Sequence, residues 1–402
     1  LVAASRTIFI AGAGIGGLTA ALALAARGFR IVILEKSARL EQIGAGLQLS
    51  PNASRVLIDL GLQPRLAPNI VVPEAISLMS ARSGREIARL PVGEAAGIRT
   101  GAPYWVIHRA DLQAALQAEV NDHPDIELRL GWQFEDVASH AKGLTVAQRR
   151  GNLRQQELAL ALIGADGVWS AVRQQLFPRL QPQFSGLIAW RGTFDATRLP
   201  REYTGRRVQL WMGAHAHLVA YPISGGRQIN VVAVMPGTWN SPGWSASADV
   251  NDLKKALTSA GWSGPPRMLV GAVDDWKKWA LFTVPPGDSW TEGSVALLGD
   301  AVHAMLPFAA QGAAMAIEDA AVLAGCLGAV AATDSAAGVA EALRQYARLR
   351  RGRVARVQRT ARAQGRIYHL RGAAAIARDL AIKAIRPSRM LSRQDWIYDW
   401  RP

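Results

Sequence analysis

The sequence predicts an α/β fold in which a mainly β unit interrupts a parallel-sheet domain and a helical segment closes the chain. Three observations carry that prediction. Buried strand signals alternate with a helix over the first 35 residues. Residues 184–236 instead alternate with period two between the turn signals Gly205, Gly213 and Ser224-Gly225-Gly226. The last 60 residues read as helix, and 402 residues exceed what one hydrophobic core usually holds.

The elements follow in order. A strand over 7–11 feeds the turn Gly12-Ala13-Gly14-Ile15-Gly16-Gly17; a helix runs from Leu18 to Ala26; Gly28 ends it; Arg30 to Leu34 form a buried strand ending at Glu35. The twenty uncharged residues between Arg6 and Arg27 are therefore strand, turn and helix rather than a membrane span or signal peptide. Ser50-Pro51-Asn52 predicts a capped helix to Gly61. Residues 74–107 read as short strands, His108 to Asn121 as helix, and 125–163 as strands ending in a buried run from Leu158 to Ile163. A short helix is expected over 250–259, a buried strand from Val295 to Leu298 ending at Gly299-Asp300, and helix from about 312. The resulting division is 1–73, 103–177 and 286–372 for the parallel-sheet domain, the last part including a long helix. Residues 74–102 and 178–285 form the β unit, and 373–402 the C-terminal helical segment.

Composition limits the function classes. Lys plus Arg exceed Asp plus Glu by 46 − 31 = 15, but residues 341–402 hold sixteen of those bases against four acids, a net +12. About +3 is left for the other 340 residues, which excludes a whole-protein nucleic-acid surface. With Cys326 alone and no ligand spacing among seven His, neither a disulfide framework nor a metal site is expected. The chain reads as cytoplasmic. Arg356, Arg359, Arg362 and Arg366 share one helix face, read as solvated or docked on the rest of the chain; an anionic membrane surface or acidic partner is the second reading.

The chemistry begins at the glycine turn. Gly12, Gly14 and Gly17 have the G-x-G-x-x-G spacing between a strand and a helix, the Rossmann-like arrangement. Gly12 permits the tight turn, Gly14 lets backbone approach a pyrophosphate, and Gly17 allows helix–strand packing, with free N–H groups at the helix start. Glu35, eighteen residues after Gly17, is placed to bind ribose hydroxyls, which argues for FAD or NAD over NADP. Two more strand-end motifs follow: Gly164-Ala165-Asp166-Gly167, leading to Arg173, and Gly299-Asp300-Ala301-Val302-His303, with Pro307 and Gln311-Gly312 downstream. In Trp211 to Pro222, His215 and His217 stand at i and i+2, one face if both lie on a strand, and Tyr221 shares it.

These ordered motifs resemble the single-component FAD-dependent aromatic hydroxylases of the para-hydroxybenzoate hydroxylase class. The stretches Gly44–Asn52, His108-Arg109-Ala110-Asp111-Leu112 and Asp395-Trp396-Ile397-Tyr398 are similar to the branch of salicylate, 3-hydroxybenzoate and 6-hydroxynicotinate hydroxylases. The resemblance covers nearly the whole chain. It implies bound FAD, NADH or NADPH as a transient co-substrate, and O₂ plus a small aromatic acid of hydroxybenzoate or salicylate type as substrates. Hydroxylation would proceed through a flavin C4a-hydroperoxide, in a cytoplasmic enzyme for which a homodimer is allowed. Position by position, Glu35 is expected at the adenosine ribose, Arg109 along the pyrophosphate, and Asp300 at ribityl or ribose hydroxyls. Gly312, Ala313 and Ala314 are expected at the flavin pyrimidine edge, and Asp166 belongs to a motif linked to both FAD and NAD(P)H. Ile15, Gly16, Lys36, Gly46 and Pro307 complete the expected cofactor set.

A phenol reacts better as phenolate, so a base in a dry pocket is needed. His217 with Tyr221 is similar to a His-x-x-x-Tyr pattern at the substrate pocket of this branch. His217 is therefore expected as base or phenol partner and Tyr221 as its positioning neighbour, with His215 the competitor and Gln311 a further catalytic candidate near the flavin. His303 is read as a helix-start residue packing near the flavin. Gln48, expected at the substrate, departs from the His at the matching place in the hydroxynicotinate enzymes, which speaks against that substrate. The alternatives are a same-fold flavoprotein oxidoreductase without oxygen insertion, and a basic flavin-binding protein working at a membrane or acidic partner.

Overall fold

The computed structural model describes residues 6–40, 45–140, 143–241, 243–285, 287, 289–330 and 336–402. Its six-stranded sheet runs, in spatial order, Thr291–Glu292, Val295–Leu297, Ala161–Gly164, Thr7–Ala11, Arg30–Glu35, Ile126–Leu130. All neighbours are parallel except the edge strand Thr291–Glu292. Strands covered on both faces read as continuous apolar runs, and Ile8, Phe9, Ile10, Leu162, Ile163 and Ala296 are fully buried. Helices Ile15–Ala25 and Gly312–Gly328 pack on each other against this sheet.

The second large sheet has eight strands in the order Ser245–Ala248, Trp276–Thr283, Gln183–Asp195, Gln228–Pro236, Ala216–Ile223, Arg207–Gly213, Ala75–Ser80, Glu86–Pro91. Its registers place Ala189, Val234 and His217 in one cross-strand row, Arg191, Val232 and Val219 in the next, and Thr193, Asn230 and Tyr221 in a third. The period-two alternation sends Trp190, Leu218, Ala220, Val231 and Ala233 to the other face, into a separate apolar core. That face is plugged; the His217–Arg191–Tyr221 face looks toward the parallel sheet.

Three local expectations differ from the structure. Within 74–107 the chain forms a helix, Glu94–Thr100, where only strands were expected; Gly101, with φ +73°, supplies its left-handed end. Leu158 is 62% exposed, because it belongs to the antiparallel strand Leu153–Ala159 of a separate three-stranded sheet and buried pairing starts only at Ala159. The first helix opens at Ile15 rather than Leu18, so the last glycines of the turn already lie inside it. Gly44 of the 44–52 stretch lies outside the described residues.

The basic C-terminal segment docks on the chain. Arg353, on helix Ala336–Tyr368, donates to the carbonyls of Trp396 (2.8 Å) and Ile397 (3.1 Å), and the Arg356 guanidinium lies 3.8 Å over the Trp396 ring. Among the described residues, no helix is long and apolar enough to cross a membrane.

Candidate active site

Four strand ends stand side by side in the parallel sheet: Glu35, the glycine turn after Ala11, Ala165-Asp166-Gly167 after Gly164, and Gly299-Asp300 after Leu297. Carboxyl ends of parallel strands are where open α/β sheets bind ligands. The glycines are needed for how closely these ends meet. Gly12 has φ +103°, and a Cβ there would lie 2.5 Å from the Ala165 carbonyl oxygen. A Cβ on Gly17 would lie 2.0 Å from the Gly12 oxygen. Gly14 differs: nothing lies within 4 Å of its Cβ direction, which opens into the groove.

Hydrogen bonds fix the turn. Ala13 N–H donates to Glu35 Oε2 (3.0 Å), Ser37 N–H to Oε1 (2.9 Å), and Gln113 Nε2 to the Ala13 carbonyl (3.0 Å). Leu18 N–H bonds the Gly14 carbonyl, which leaves Ile15, Gly16 and Gly17 N–H groups without helical partners, free for an anion. Two adjoining cavities share Gly14, Ala165 and Gly167. The first carries Gly12, Glu35, Lys36, Asp166 and Trp169; the second carries Ile15, Gly16, Gly46, Gln48, Arg109, Asp300, Pro307, Gly312 and Ala313 and continues to Arg191, His217 and Tyr221. A groove with an acidic ribose end, open N–H groups at its middle and a second helix start beyond fits a dinucleotide such as FAD. Met315 N–H bonds the Gln311 carbonyl, so the N–H groups of Gly312, Ala313 and Ala314 are likewise free of helical partners, although the Ala314 side chain points into the core.

Asp166 does a local job. Its Oδ2 accepts from the N–H groups of Ala171 (2.7 Å) and Val172 (3.3 Å), capping helix Ala171–Leu176, while Oδ1 is buried without a partner. Burial raises its pKa. Arg173, buried behind it, donates to the Ala301 carbonyl (2.7 Å) and the Val168 carbonyl (2.6 Å), tying the Asp-Gly and Gly-Asp motifs together.

On the facing sheet His217 is buried and lines the cavity, with Phe308 (5.2 Å between centroids) and Tyr368 (5.5 Å) around its ring. Burial, and His369 beside it, hold its pKa well below the usual value, so it stands as a neutral base. Tyr221 is buried, and desolvation raises its pKa, keeping it a hydroxyl donor. Gly46 is what admits it: a Cβ there would fall 2.5 Å from Tyr221 Cε2 and 2.9 Å from Asn230 Cγ, and Gly46 N–H donates to Asn230 Oδ1 (2.7 Å). Tyr104 donates to Gln48 Oε1 (2.8 Å), orienting that amide at the cavity wall.

Two sequence expectations are corrected here. His215 is not on the strand with His217. It sits in the two-residue turn between Arg207–Gly213 and Ala216–Ile223, at φ +59°, exposed and with Nε2 3.1 Å from Arg371 Nη1, so the i, i+2 rule has no strand to act on. Gln311 is buried, and it is not among the cavity-lining residues. Its Nε2 donates to Ser50 Oγ (2.8 Å) and its Oε1 accepts from Asn52 Nδ2 (3.1 Å), so both amide ends are engaged. His303 is buried, with Nε2 2.6 Å from Asp319 Oδ2, the same oxygen that takes the Gly299 N–H (3.1 Å). It holds the Gly-Asp loop rather than facing the cavity.

Sequence reasoning missed Arg191. It lines the cavity on the same sheet face as His217 and Tyr221, with its guanidinium 5.3 Å over the Trp279 ring. Its Nε is buried without a partner, and no carboxylate among the described residues pairs with it. Desolvation lowers its pKa, Tyr221 opposing and Arg109 adding to the shift. The available signal was an arginine at an inward-facing strand position, legible only once the register of Gln183–Asp195 is known.

The chain matches the family described as FAD binding domain over residues 5–361. It is 34% identical to a 3-hydroxybenzoate 6-hydroxylase of Klebsiella oxytoca, over 98% of this chain and 96% of that protein. It is 32% identical to a 6-hydroxynicotinate 3-monooxygenase of Bordetella bronchiseptica, over 88% and 89% respectively. Among solved structures, a salicylate hydroxylase substrate complex superposes with a TM-score of 0.82 at 25% identity, covering 99% of this chain and 96% of that one. With a matched segment that spans most of its length, the chain belongs to the FAD-binding-domain family.

Proposed function

We propose that this protein is an FAD-dependent aromatic-ring monooxygenase that hydroxylates a phenolic aromatic acid of hydroxybenzoate or salicylate type. One observation carries the substrate class: the cavity presents an unpaired, desolvated guanidinium, Arg191, and a neutral buried histidine, His217, on one sheet face. Their strands lie two apart, about 10 Å across the sheet, and Arg191 is long enough to shorten that gap to the span of one substituted ring. A carboxylate meets Arg191, and a ring hydroxyl meets His217.

Held in this groove, FAD would supply the oxygen-transfer chemistry, with NADH or NADPH as reductant and O₂ as oxidant. The chain's own residues do the rest. Glu35, Lys36 and Asp166 would hold the adenosine end of FAD; the N–H groups of Ile15, Gly16 and Gly17 and the Arg109 side chain would hold the pyrophosphate; Asp300, Pro307, Gly312, Ala313 and Ala314 would hold the flavin end. His217 takes the phenolic proton, Tyr221 donates a hydrogen bond to the ring substituent, and Gln48 borders the substrate. Val219, Val232 and Val234 keep that face apolar and dry, which protects the oxygen transfer from water. The parallel sheet with its helices serves as the cofactor domain and the eight-stranded sheet as the substrate domain. The enzyme is read as cytoplasmic, with a homodimer allowed. The docked C-terminal segment supports neither a nucleic-acid nor a membrane role.

The test is stopped-flow reduction of the holoenzyme by NADH and by NADPH against salicylate, 3- and 4-hydroxybenzoate and 6-hydroxynicotinate. One acid is expected to accelerate reduction, with O₂ uptake matched to hydroxylated product. Acceleration by none of them overturns the substrate class, and O₂ uptake that yields only H₂O₂ overturns the hydroxylase reading.

A further inference from the structure

The amide of Gln48 meets the cavity with only one of its ends engaged by the protein. Gln48 lies on the short strand Gly46–Leu49, which pairs antiparallel with Trp105–His108 so that Gln48 stands opposite Val106. Tyr104, two residues before Val106, falls on the same face of this ribbon, and so does Gly46. Tyr221 packs against Gly46, and Tyr104, Val106 and Tyr221 belong to one apolar cluster. Gln48 therefore enters the cavity on the Tyr221 side. On the sheet wall the Arg191 row is the middle one, between the rows of His217 and Tyr221.

Tyr104 decides which end of the amide faces a ligand. Its hydroxyl lies 2.8 Å from Gln48 Oε1 and makes no other hydrogen bond among the described residues. The side chain is 4% exposed, in a cluster with Val71, Val106, Val208 and Leu391, and the Tyr398 ring stands edge-on to it at 6.0 Å. Burial raises its pKa well above the usual value, so it keeps its proton. That one O–H has Gln48 Oε1 as its acceptor. Turning the amide over would set Nε2 against the hydroxyl oxygen and leave the O–H without an acceptor inside an apolar cluster, the costly arrangement. The amide is therefore held one way round. Oε1 is taken by Tyr104, and Nε2, without a partner among the described residues, is the end presented to the cavity.

We propose that Tyr104 is a specificity-determining positioning residue: by locking the Gln48 amide as a donor, it selects the substrate's carboxylate over a neutral carboxamide. The inference rests on the reading of Arg191 as the carboxylate's partner and adds an uncharged criterion to it. Arg191 and Tyr221 are donors, so with Gln48 Nε2 this end of the cavity offers donors only. A carboxylate accepts on both oxygens and suits all three. A carboxamide replaces one acceptor by N–H₂, which meets a donor whichever way it rotates, and a desolvated site discriminates strongly against such unpaired groups. Tyr104 is not among the cavity-lining residues, so it acts through Gln48.

The experiment titrates oxidised holoenzyme with salicylate, 3-hydroxybenzoate and 4-hydroxybenzoate, each against its carboxamide, and reads dissociation constants from the flavin absorbance change. Wild type is expected to prefer the acid in at least one pair. Tyr104→Phe, which removes a single oxygen atom, frees the amide to turn and should narrow that preference by about 10-fold, the scale of one neutral hydrogen bond, chiefly through tighter carboxamide binding. Gln48→Leu should narrow it too, and serves if the tyrosine variant fails to fold. In the Gln48→Leu background, Tyr104→Phe should add nothing, because its route to the ligand is gone. Full wild-type preference in both single variants, with Arg191→Met losing it, overturns the inference and leaves the carboxylate at Arg191. A further narrowing by Tyr104→Phe in the Gln48→Leu background shows that the tyrosine acts through packing and also overturns it. No acid preference in wild type overturns the carboxylate reading and this inference together.

Discussion

Arg350 and Arg191 are the same side chain, both desolvated, and their pKa values move in opposite directions. Burial pulls on Arg350 too, but Asp319 and Glu318 outweigh it and raise its pKa. Its Nε donates to Asp319 Oδ1 (2.7 Å), its Nη1 to Glu318 Oε2 (2.6 Å), and Arg353 adds two more bonds to Glu318. Arg191 has Trp279 beneath it and no acid among the described residues, so desolvation wins and its pKa falls. The first arginine completes a charge cluster that the protein supplies entirely itself. The second is left without a carboxylate partner among the described residues at the wall of a cavity, where the proposed substrate's carboxylate would complete it. Buried charges that are fully paired hold structure; a desolvated charge without a partner marks where a ligand of opposite charge goes.

The largest expected effect lies on the paired side. Arg350→Met strands Glu318 and Asp319 in the core, and breaking such a pair costs about 3–5 kcal/mol. A urea-denaturation series should show that loss. A change under about 1 kcal/mol would mean that Arg353 and His303 alone can neutralise both acids, which removes one half of the contrast. Arg191→Met should do the opposite to stability, leaving it unchanged or slightly raised, because an uncompensated charge is removed. Its cost is expected in binding: about 10²-fold weaker affinity for an aromatic acid, near the lower end of the range for losing one partner of a buried ion pair. Titration of the acid against its carboxamide sharpens this. Wild type should prefer the acid and Arg191→Met should not; a preference that survives the substitution removes the carboxylate from Arg191.

The glycine turn repeats the contrast without charge. Gly12 is shaped by the protein's own backbone, with φ +103° and the Ala165 oxygen in the way of any Cβ. Gly14 is shaped by nothing in the chain. Gly12→Ala is therefore expected to cost about 1–3 kcal/mol of stability from backbone strain, with FAD lost as a consequence. Gly14→Ala should leave the apoprotein's melting temperature where it was and still lower flavin content at purification, because its methyl enters the groove. Equal melting losses in both variants would show that Gly14 too is held by the fold.

This contrast also explains what was legible in the sequence. The groove at the strand ends is built from contiguous motifs, each with its own spacing, so the convergence of Gly12, Glu35, Asp166 and Asp300 there is legible one stretch at a time. The facing cavity wall is built from single residues on three strands, brought into rows by register alone. His217 and Tyr221 could be read because they share one strand. His215 was misplaced because the two-residue turn Ala214-His215 ends two positions before His217; Gly213 signals a turn but does not fix at which residue the next strand resumes. Arg191 and His369 stand far from that strand in sequence and join it only through sheet register and the docked end of the long helix. Gln311 was misassigned because its neighbours Ser50 and Asn52 lie some 260 residues away.

The last comparison concerns proton linkage, where the two regions should titrate in different windows. His369 is pushed down to about 4 by burial and by His215, and His217 is held well below the usual histidine value by burial and by His369. Between the usual histidine value near 6.5 and about 4, the unfolded chain binds protons that the folded pair refuses. Stability should therefore decline as pH falls through that window and be unaffected above it. In the paired cluster, burial alone would raise the Asp319 pKa, but His303 and Arg350 hold it below the ordinary value. Its contribution is present above the unfolded carboxylate range and is lost only as pH drops below it, through the lowered folded value. Urea midpoints measured from pH 8 to pH 3 should show a decline beginning near 6.5, which the double substitution His217→Gln and His369→Gln flattens while the acid loss below about 4 stays. A wild-type midpoint that stays level down to pH 4.5 would mean that the pair takes up protons in the folded state, and His217 would then be no neutral base waiting in a dry cavity.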